Sequence, residues 1–184
     1  FDEAHHLPSK SNNHFSSFAK IRGSAKWLER CKILITQLVG RKLINEVKKD
    51  KIEILIQALS VESDTSWCLF EELVASLASS EKYENEIRYT FTLGVIPEEI
   101  RLLSEGLASQ YAALISGFKD IDTDLRQIID EGSNLELMNL AEKWFPAIGA
   151  NIEYAESNLA LWLSYANKDA TGAVPMARWL SAKE

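Results

Sequence analysis

The stretch 133–166, SNLELMNLAEKWFPAIGANIEYAESNLALWLSYA, decides the fold, because it carries the longest periodic pattern of apolar residues in the chain. These residues recur every three or four positions, which is the spacing of one face of an α-helix. They are Leu137, Ala141, Trp144, Ile148, Ile152, Ala155, Leu159 and Trp162. Pro146 removes one backbone amide inside the run, so we expect a kink there. The pattern predicts a helix of about nine turns with one buried face.

Shorter amphipathic runs elsewhere in the chain predict further helices joined by short loops. The polar residues 62–65 and Gly132 are expected to end helices, and Pro97 followed by two glutamates is expected to begin one. The expected helices span 9–19, 24–40, 45–59, 65–77, 97–118 and 122–129. Residues 89–93 and 174–182 alternate instead as extended chain. The sequence therefore predicts an all-α domain: an irregular antiparallel bundle of six to eight helices with a short C-terminal extended strand.

The composition is that of one globular domain. The chain has 184 residues, of which 46% are hydrophobic and 26% charged, and no Gly/Ser or Pro run long enough to link two domains. No stretch approaches about 18 uninterrupted apolar residues, so no membrane partner is expected. Cys31 and Cys68 match no CxxC spacing, and we expect both to be buried, reduced thiols of an intracellular chain.

Charge is distributed unevenly along the chain, although the net charge is −7. The segment 20–51 holds ten basic and three acidic residues, net +7, whereas 97–157 holds twelve acidic and four basic residues, net −8. Because contact with phosphates needs lysine and arginine, the first segment is the candidate DNA-facing surface. The candidate contacts are Lys20, Arg22, Lys26, Arg30 and Lys32. Two of them, Lys26 and Arg30, lie four residues apart on one stripe of their helix.

The first eight residues, FDEAHHLP, resemble the DEAH box of helicases. In that setting Asp2 holds the Mg²⁺ that bridges the β- and γ-phosphates of ATP, and Glu3 orients and activates the attacking water. His5 couples the site to bound nucleic acid or to a neighbouring motif. The resemblance thus implies catalytic roles for Glu3 and His5 and a metal-binding role for Asp2, with ATP and Mg²⁺ as cofactors.

The residues 1–8, together with the segment 174–180, VPMARWL, resemble the DinG family of DNA helicases, which are related to the iron-sulphur helicase XPD. The resemblance implies that residues 1–8 end the DEAH-box strand of the first motor domain, that 9–170 form an arch-like helical insertion, and that 171–184 return to the motor domain. Many family members hold a [4Fe–4S] cluster, but its ligands are expected outside this chain.

The same resemblance implies the function of the intact protein: 5′-to-3′ ATP-dependent unwinding of DNA in repair or replication, in the cytoplasm of a bacterium. The helical part would help to form the passage for single-stranded DNA. None of the eight glycines is followed by lysine, so the chain lacks a Gly-Lys-Ser/Thr phosphate loop. We therefore expect these 184 residues to be an excised, monomeric and catalytically inactive piece of the enzyme.

Two other functions remain open. The chain can be a helical protein-interaction module in which the DEAH tetrapeptide is a coincidence and the acidic half is a partner surface. It can also be a metal-dependent hydrolase that uses Asp2, Glu3, His5, His6 and His14, although zinc needs three or four ligands at fixed distances. The aromatic residues of the long run can form a base-stacking platform, but stripes at helical spacing are more typical of a core.

Overall fold

The structure is a computed structural model that describes residues 21–76, 82–83, 86–167 and 178–183. Within these ranges the chain forms four α-helices and one small antiparallel sheet. The helices are α1 (Ile21–Gly40), α2 (Glu46–Ser76), α3 (Glu98–Glu131) and α4 (Leu135–Ala166). The strands are β1 (Lys82–Tyr83), β2 (Glu86–Thr90) and β3 (Trp179–Lys183), and a 3₁₀ turn spans Thr92–Gly94.

The helices α3 and α4 form a long antiparallel hairpin, which is the most extensive helix contact of the fold. Pro97 precedes α3, as its fixed φ favours at a helix start, and Glu98 and Glu99 occupy the first turn. Gly132 ends α3 in the left-handed conformation, with φ 56°. Asn134 then caps α4, because its side-chain oxygen accepts hydrogen bonds from the backbone amides of Glu136 and Leu137. These caps confine the turn between the two helices to three residues.

The helix α2 packs against both α1 and α3, so the core runs between the hairpin and the first two helices. The α1–α2 turn contains Lys42 with φ 60°, and the amide of Leu43 donates to the carbonyl of Leu38. The largest side chains that are fully buried include Ile35, Leu38, Ile52, Ile56, Leu59, Ile100, Leu107, Tyr111, Leu114, Phe118, Ile121 and Leu125. Nearly all are aliphatic residues at helical spacing, as expected for a core of packed helices.

The sheet closes the open end of the α3–α4 hairpin. Strand β2, which precedes α3, pairs antiparallel with β1 on one side and with β3, which follows α4, on the other. The buried guanidinium of Arg178 donates from Nη1 to the carbonyl of Gly94 at 2.8 Å. The hydroxyl of Tyr165 donates to the carbonyl of Trp179 at 2.9 Å. The chain segments that enter and leave the hairpin are therefore held together at its base.

The structure confirms the all-α fold class and the C-terminal strand. It corrects the number of helices, because the residues that it describes form four long helices where six to eight were expected. Residues 62–65 do not interrupt α2: the hydroxyls of Thr65 and Ser66 donate to backbone carbonyls four residues earlier and so remain compatible with a helix. In α3, Ile121 and Leu125 continue the buried stripe past Phe118 without a break. The helix α4 is likewise continuous through Pro146.

The expectation that both thiols are buried is wrong for Cys68. Cys31 is fully buried in α1, whereas Cys68 is exposed on α2. Phe70 is buried on the core side of the same helix, and Cys68, two residues earlier, lies about 160° away from it around the axis, so the residue faces away from the core. No helix in the part of the chain that the structure describes is both long enough and apolar enough to cross a membrane. The helix expected at 9–19 lies outside the described residues.

Candidate nucleic-acid interface

The exposed surface of α1 carries basic residues that remain available for a ligand. Lys26 and Arg30 are exposed, Lys32 is half-exposed, and none of the three forms an ion pair within the described part of the chain. Of the other two candidate contacts, Arg22 belongs to the first turn of α1 and Lys20 lies outside the described residues. The structure thus supports a cationic surface on α1 that includes Lys26, Arg30 and Lys32.

The lysines of α2, by contrast, are already neutralised. Lys48 pairs with Asp124, and Lys51 pairs with Asp120 at 3.4 Å, so both ion pairs join α2 to α3. Lys49 pairs with Glu46 at 3.2 Å within α2. The basic segment 20–51 is therefore not one surface. The three lysines of α2 pair with residues of α3 and of α2 itself. The cations that form no ion pair among the described residues are Lys26, Arg30 and Lys32 of α1, and Arg41 and Lys42 of the α1–α2 turn.

A groove with a volume of about 410 Å³ runs between α1 and α4 beside these cations. Its lining combines basic, amide, aliphatic and aromatic side chains. They are Trp27, Arg30, Ile33, Leu34 and Gln37 from α1, with Trp144, Ala150, Asn151 and Tyr154 from α4. Arg30 is itself part of the lining, and Lys26 precedes it by one helical turn, about 6 Å along the axis. Positive charge therefore lies at the rim of a largely apolar groove.

Trp27 forms part of the wall of this groove. Its Nε1 donates to the carboxamide oxygen of Asn151 at 2.7 Å, which joins α1 to α4. The indole ring lies tilted against Tyr154, with centroids 4.6 Å apart, and stacks on Tyr111 at 6.2 Å. Burial raises the pKa of the Tyr111 hydroxyl to about 12, so this residue stays neutral at physiological pH. The Trp27 ring is therefore held in place by contacts with both α3 and α4.

The aromatic residues of α4 divide between core and groove. Trp162 and Tyr165 are buried, and Trp162 stacks on Phe70 of α2 with centroids 6.3 Å apart. Trp144 and Tyr154 are half-buried and line the groove. The C-terminal end of the aromatic stripe therefore belongs to the core, whereas Trp144 and Tyr154 present ring surface in the groove beside Arg30, where base stacking stays a prediction.

A groove of this kind can bind single-stranded nucleic acid without reading its sequence. Arginine and lysine contact the phosphates, while partly exposed aromatic rings provide surface on which bases of any kind stack. The sequence pattern identified Lys26 and Arg30 and included Tyr154 among the aromatic residues of the long run, but gave no indication of Asn151. The available signal was a polar residue next to the apolar stripe of the long helix, since Asn151 directly precedes Ile152. The pairing of this asparagine with Trp27 exists only in the folded chain.

The residues of the DEAH box, Asp2, Glu3 and His5, lie outside the described residues, as do His6 and His14. Their predicted roles with ATP and Mg²⁺ stay predictions. Within the described ranges, no group of three or more His, Cys, Asp or Glu side chains is arranged to hold a metal ion. Comparisons with protein families, with curated proteins and with solved structures found no match to this chain.

Proposed function

We propose that this chain binds single-stranded DNA through the groove between α1 and α4, as the helical arch insertion of a 5′-to-3′ ATP-dependent DNA helicase. The observation that carries the DNA-binding part is the position of Lys26 and Arg30, which have no ion-pair partner among the described residues and lie beside the aromatic lining of the groove. The helicase part rests on the resemblance of residues 1–8 to a DEAH box.

The path of the chain closes one part of the proposed insertion on itself. An insertion must leave its host domain and return to it at nearby points, so its two ends need to lie close together. Here β2 and β3 are hydrogen-bonded neighbours, and pairing of Thr90 with Trp179 brings the two ends of an 88-residue excursion (91–178) to adjacent positions. That excursion contains α3 and α4 but not the start of the proposed insertion at residue 9, which lies outside the described residues, so the closeness of the ends of 9–170 stays a prediction.

In the intact protein of this proposal, Asp2 binds Mg²⁺, and Glu3 and His5 act on the ATP that is bound by a phosphate loop elsewhere in the enzyme. The α1–α4 groove takes no part in that chemistry. It contacts the DNA backbone and stacks on bases, which keeps one strand in the passage during translocation in the bacterial cytoplasm. An iron–sulphur cluster, where the enzyme has one, is bound by residues outside this chain.

The DNA contact can be tested on the 184-residue chain with a labelled oligothymidine and fluorescence anisotropy at several salt concentrations. Lys26→Glu together with Arg30→Glu should weaken binding and lower the slope of log K against log salt by about one to two units, because each phosphate contact on a single strand contributes about 0.7. Trp144→Ala should weaken binding by about 1–3 kcal/mol with the slope unchanged, since stacking carries no counterion release.

The matched control is Lys49→Glu with Lys51→Glu, which changes the net charge by the same amount on α2. Both lysines are already paired with carboxylates, so this variant should bind oligothymidine with nearly the original affinity. Equal losses in the α1 and α2 variants would mean that only total charge matters. That result would contradict a DNA site on α1.

A further inference from the structure

The groove between α1 and α4 has two ends that lie well apart along the helices. Successive helices of the fold are antiparallel, so α1 runs in the direction opposite to α4. Trp27, near the start of α1, contacts Tyr154 and marks one end of the groove. Gln37, near the end of α1, and Trp144 mark the other end. The ten residues from Trp144 to Tyr154 correspond to about 15 Å along the axis of α4.

The α1 side of the groove is one stripe of residues at helical spacing. Lys26, Arg30, Ile33 and Gln37 are three or four residues apart, and Arg41 is about one turn further on. The amide of Arg41 still donates to the carbonyl of Gln37 at 3.1 Å, so Arg41 continues the helical path. Its side chain is exposed and forms no ion pair with any residue that the structure describes. The stripe therefore carries positive charge at both of its ends.

Lys143 adds a cation on the α4 side, at the same end of the groove as Arg41. Its Nζ lies 6.0 Å from the centroid of the Trp144 ring. Lys143 precedes Tyr154 by eleven residues, which is about three helical turns, so the two side chains lie on the same side of α4. Lys143 is exposed, and no described carboxylate forms an ion pair with it. The two ends of the groove are therefore both cationic and both aromatic.

The acidic residues near the groove do not belong to its lining. Glu142 and Glu153 each precede a residue of the α4 side by one position and are turned about 100° from it around the axis. Glu29 has the same relation to Arg30 on α1 and is exposed. Among the described residues, those that line the groove include no aspartate or glutamate. A phosphate backbone along the groove therefore meets cations at its ends and no carboxylate between them.

We propose that single-stranded DNA lies lengthwise in this groove and is held at both ends, by Lys26 and Arg30 at one end and by Arg41 and Lys143 at the other. The lengthwise path rests on the proposed function of the groove and adds a second cationic end to it. Successive nucleotides of a stacked strand are about 3.4 Å apart, so a groove about 15 Å long holds about four to five nucleotides. The bases at the two ends stack on the aromatic ring at each end.

A strand that crossed the groove instead would use only part of this surface. It would leave α1 at Arg30 and meet α4 near Ala150 and Asn151, which carry no positive charge for a phosphate. The crossing path would also leave Arg41 and Lys143 without a contact. The distribution of the cations thus favours the lengthwise path.

The length of the site can be tested on the 184-residue chain by fluorescence anisotropy with labelled oligothymidines of two and of five nucleotides. The affinity should be at least about tenfold higher for the longer strand, because only this strand reaches both ends and gains a second stacked base with further phosphate contacts. Equal affinity for the two strands would overturn the lengthwise path.

The second end can be tested with Arg41→Gln together with Lys143→Gln. This variant should lower the slope of log K against log salt for the five-nucleotide strand by about 1.4, because each phosphate contact on a single strand contributes about 0.7. The matched control is Lys32→Gln with Lys42→Gln, which removes two other cations that have no ion pair among the described residues. Lys32 is turned about 160° from Arg30 around α1, and Lys42 lines a separate groove beside α3, so the control should keep the original slope.

The four substituted side chains are exposed or half-exposed, so circular dichroism should show the same helix content in both variants. An unchanged slope in the Arg41 and Lys143 variant, or an equal loss in the control, would overturn the lengthwise path. The DNA site itself would still stand if the Lys26 and Arg30 variant lost affinity in the same assay. A chain that binds no oligothymidine at all would overturn both the lengthwise path and the proposed function.

Discussion

At the scale of single residues, Asn151 joins the two helices of the groove. Its carboxamide oxygen accepts hydrogen bonds from Trp27 Nε1 at 2.7 Å and from Cys31 Sγ at 3.3 Å, while its Nδ2 donates to the carbonyl of Ala147. The bonds from Trp27 and Cys31 would be lost if the two helices shifted by one residue, whereas the bond to Ala147 lies within α4; an unpaired polar group in such a place costs about 1–3 kcal/mol. The contact therefore sets the register of α1 on α4 and the position of the Trp27 ring.

Burial of Cys31 predicts a loss of stability at alkaline pH. Burial raises the pKa of its thiol from the ordinary 9.0 to about 12, and the unfolded chain therefore releases this proton first. The stabilising contribution is complete below pH 9 and is lost as the pH rises from 9 to about 12, by up to about 1.4 kcal/mol per pH unit. Tyr111, whose pKa is likewise raised to about 12 by burial, adds to the loss from pH 10 upward.

Urea unfolding at a series of pH values would measure this effect. Cys31→Ala should make the free energy of unfolding less dependent on pH between 9 and 10, where the tyrosine contributes little. Cys68→Ala should leave that dependence as it is, because this thiol is exposed. A wild-type profile that is flat from pH 8 to pH 11 would contradict the deep burial of Cys31.

At the scale of the elements, the contact between α2 and α3 depends on a close approach at Gly117. A Cβ atom at this position would lie 3.2 Å from Ile52 Cγ1 and 3.8 Å from Leu55 Cδ1. Both neighbours are large side chains, Ile52 fully buried and Leu55 packed against the core. The ion pairs Lys48–Asp124 and Lys51–Asp120 join the same two helices on their exposed side. The helices are thus packed closely at the core and paired by charge at the surface.

Two glycine-to-alanine changes in long helices should have different effects. Gly149→Ala should raise the free energy of unfolding by about 0.5–1 kcal/mol, because alanine favours the helix and no atom lies within 4 Å of the new methyl group. Gly117→Ala gains the same helix propensity, but the methyl group must displace Ile52. It should therefore stabilise less than Gly149→Ala, or destabilise. Denaturant unfolding of both variants measures the difference, and equal stabilisation would contradict the close α2–α3 contact.

At the scale of the whole molecule, the sheet and the aromatic residues above it hold the base of the α3–α4 hairpin. Phe91 is buried edge-on against Tyr165, and its amide donates to the carbonyl of Arg178 at 3.0 Å. Tyr165 in turn contacts Trp162 and hydrogen-bonds the backbone of β3. The end of α4 is therefore joined directly to β3 and to the residue that follows β2.

The proposed helicase makes a prediction for the intact protein. Glu3→Gln should leave nucleotide binding nearly unchanged and abolish ATP turnover, because the amide keeps the size of the side chain but cannot act as the base for the attacking water. Equilibrium binding of a labelled nucleotide and phosphate release measure the two quantities. The 184-residue chain alone should hydrolyse no ATP. Hydrolysis by that chain, lost in its own Glu3→Gln variant, would contradict the proposal that the phosphate loop lies elsewhere.

Much of the fold could be predicted from local patterns. The apolar stripe of α1 and the start of α3 after Pro97 are confirmed, because amphipathic spacing and helix caps act within one or two turns. The helix ends at 62–65 and near Asp122 were predicted wrongly. A polar stretch ends a helix only when tertiary packing does not favour continuing the helix through it. Here Ser63 and Ser66 are buried against the rest of the fold, and the core covers Ile121 and Leu125.

The candidate site could be predicted only in part. The sequence by itself determined the helical class, the excess of positive charge before residue 52, and the cations Lys26 and Arg30, since each is a matter of composition or of spacing along one helix. The tertiary structure alone decided which cations stay free, because neutralisation of Lys48 and Lys51 requires α3 to lie beside α2. It also decided where the groove lies, because the hydrogen bond between Trp27 and Asn151 joins residues 124 positions apart. Contacts over such separations depend on how whole helices pack, and no local pattern encodes them.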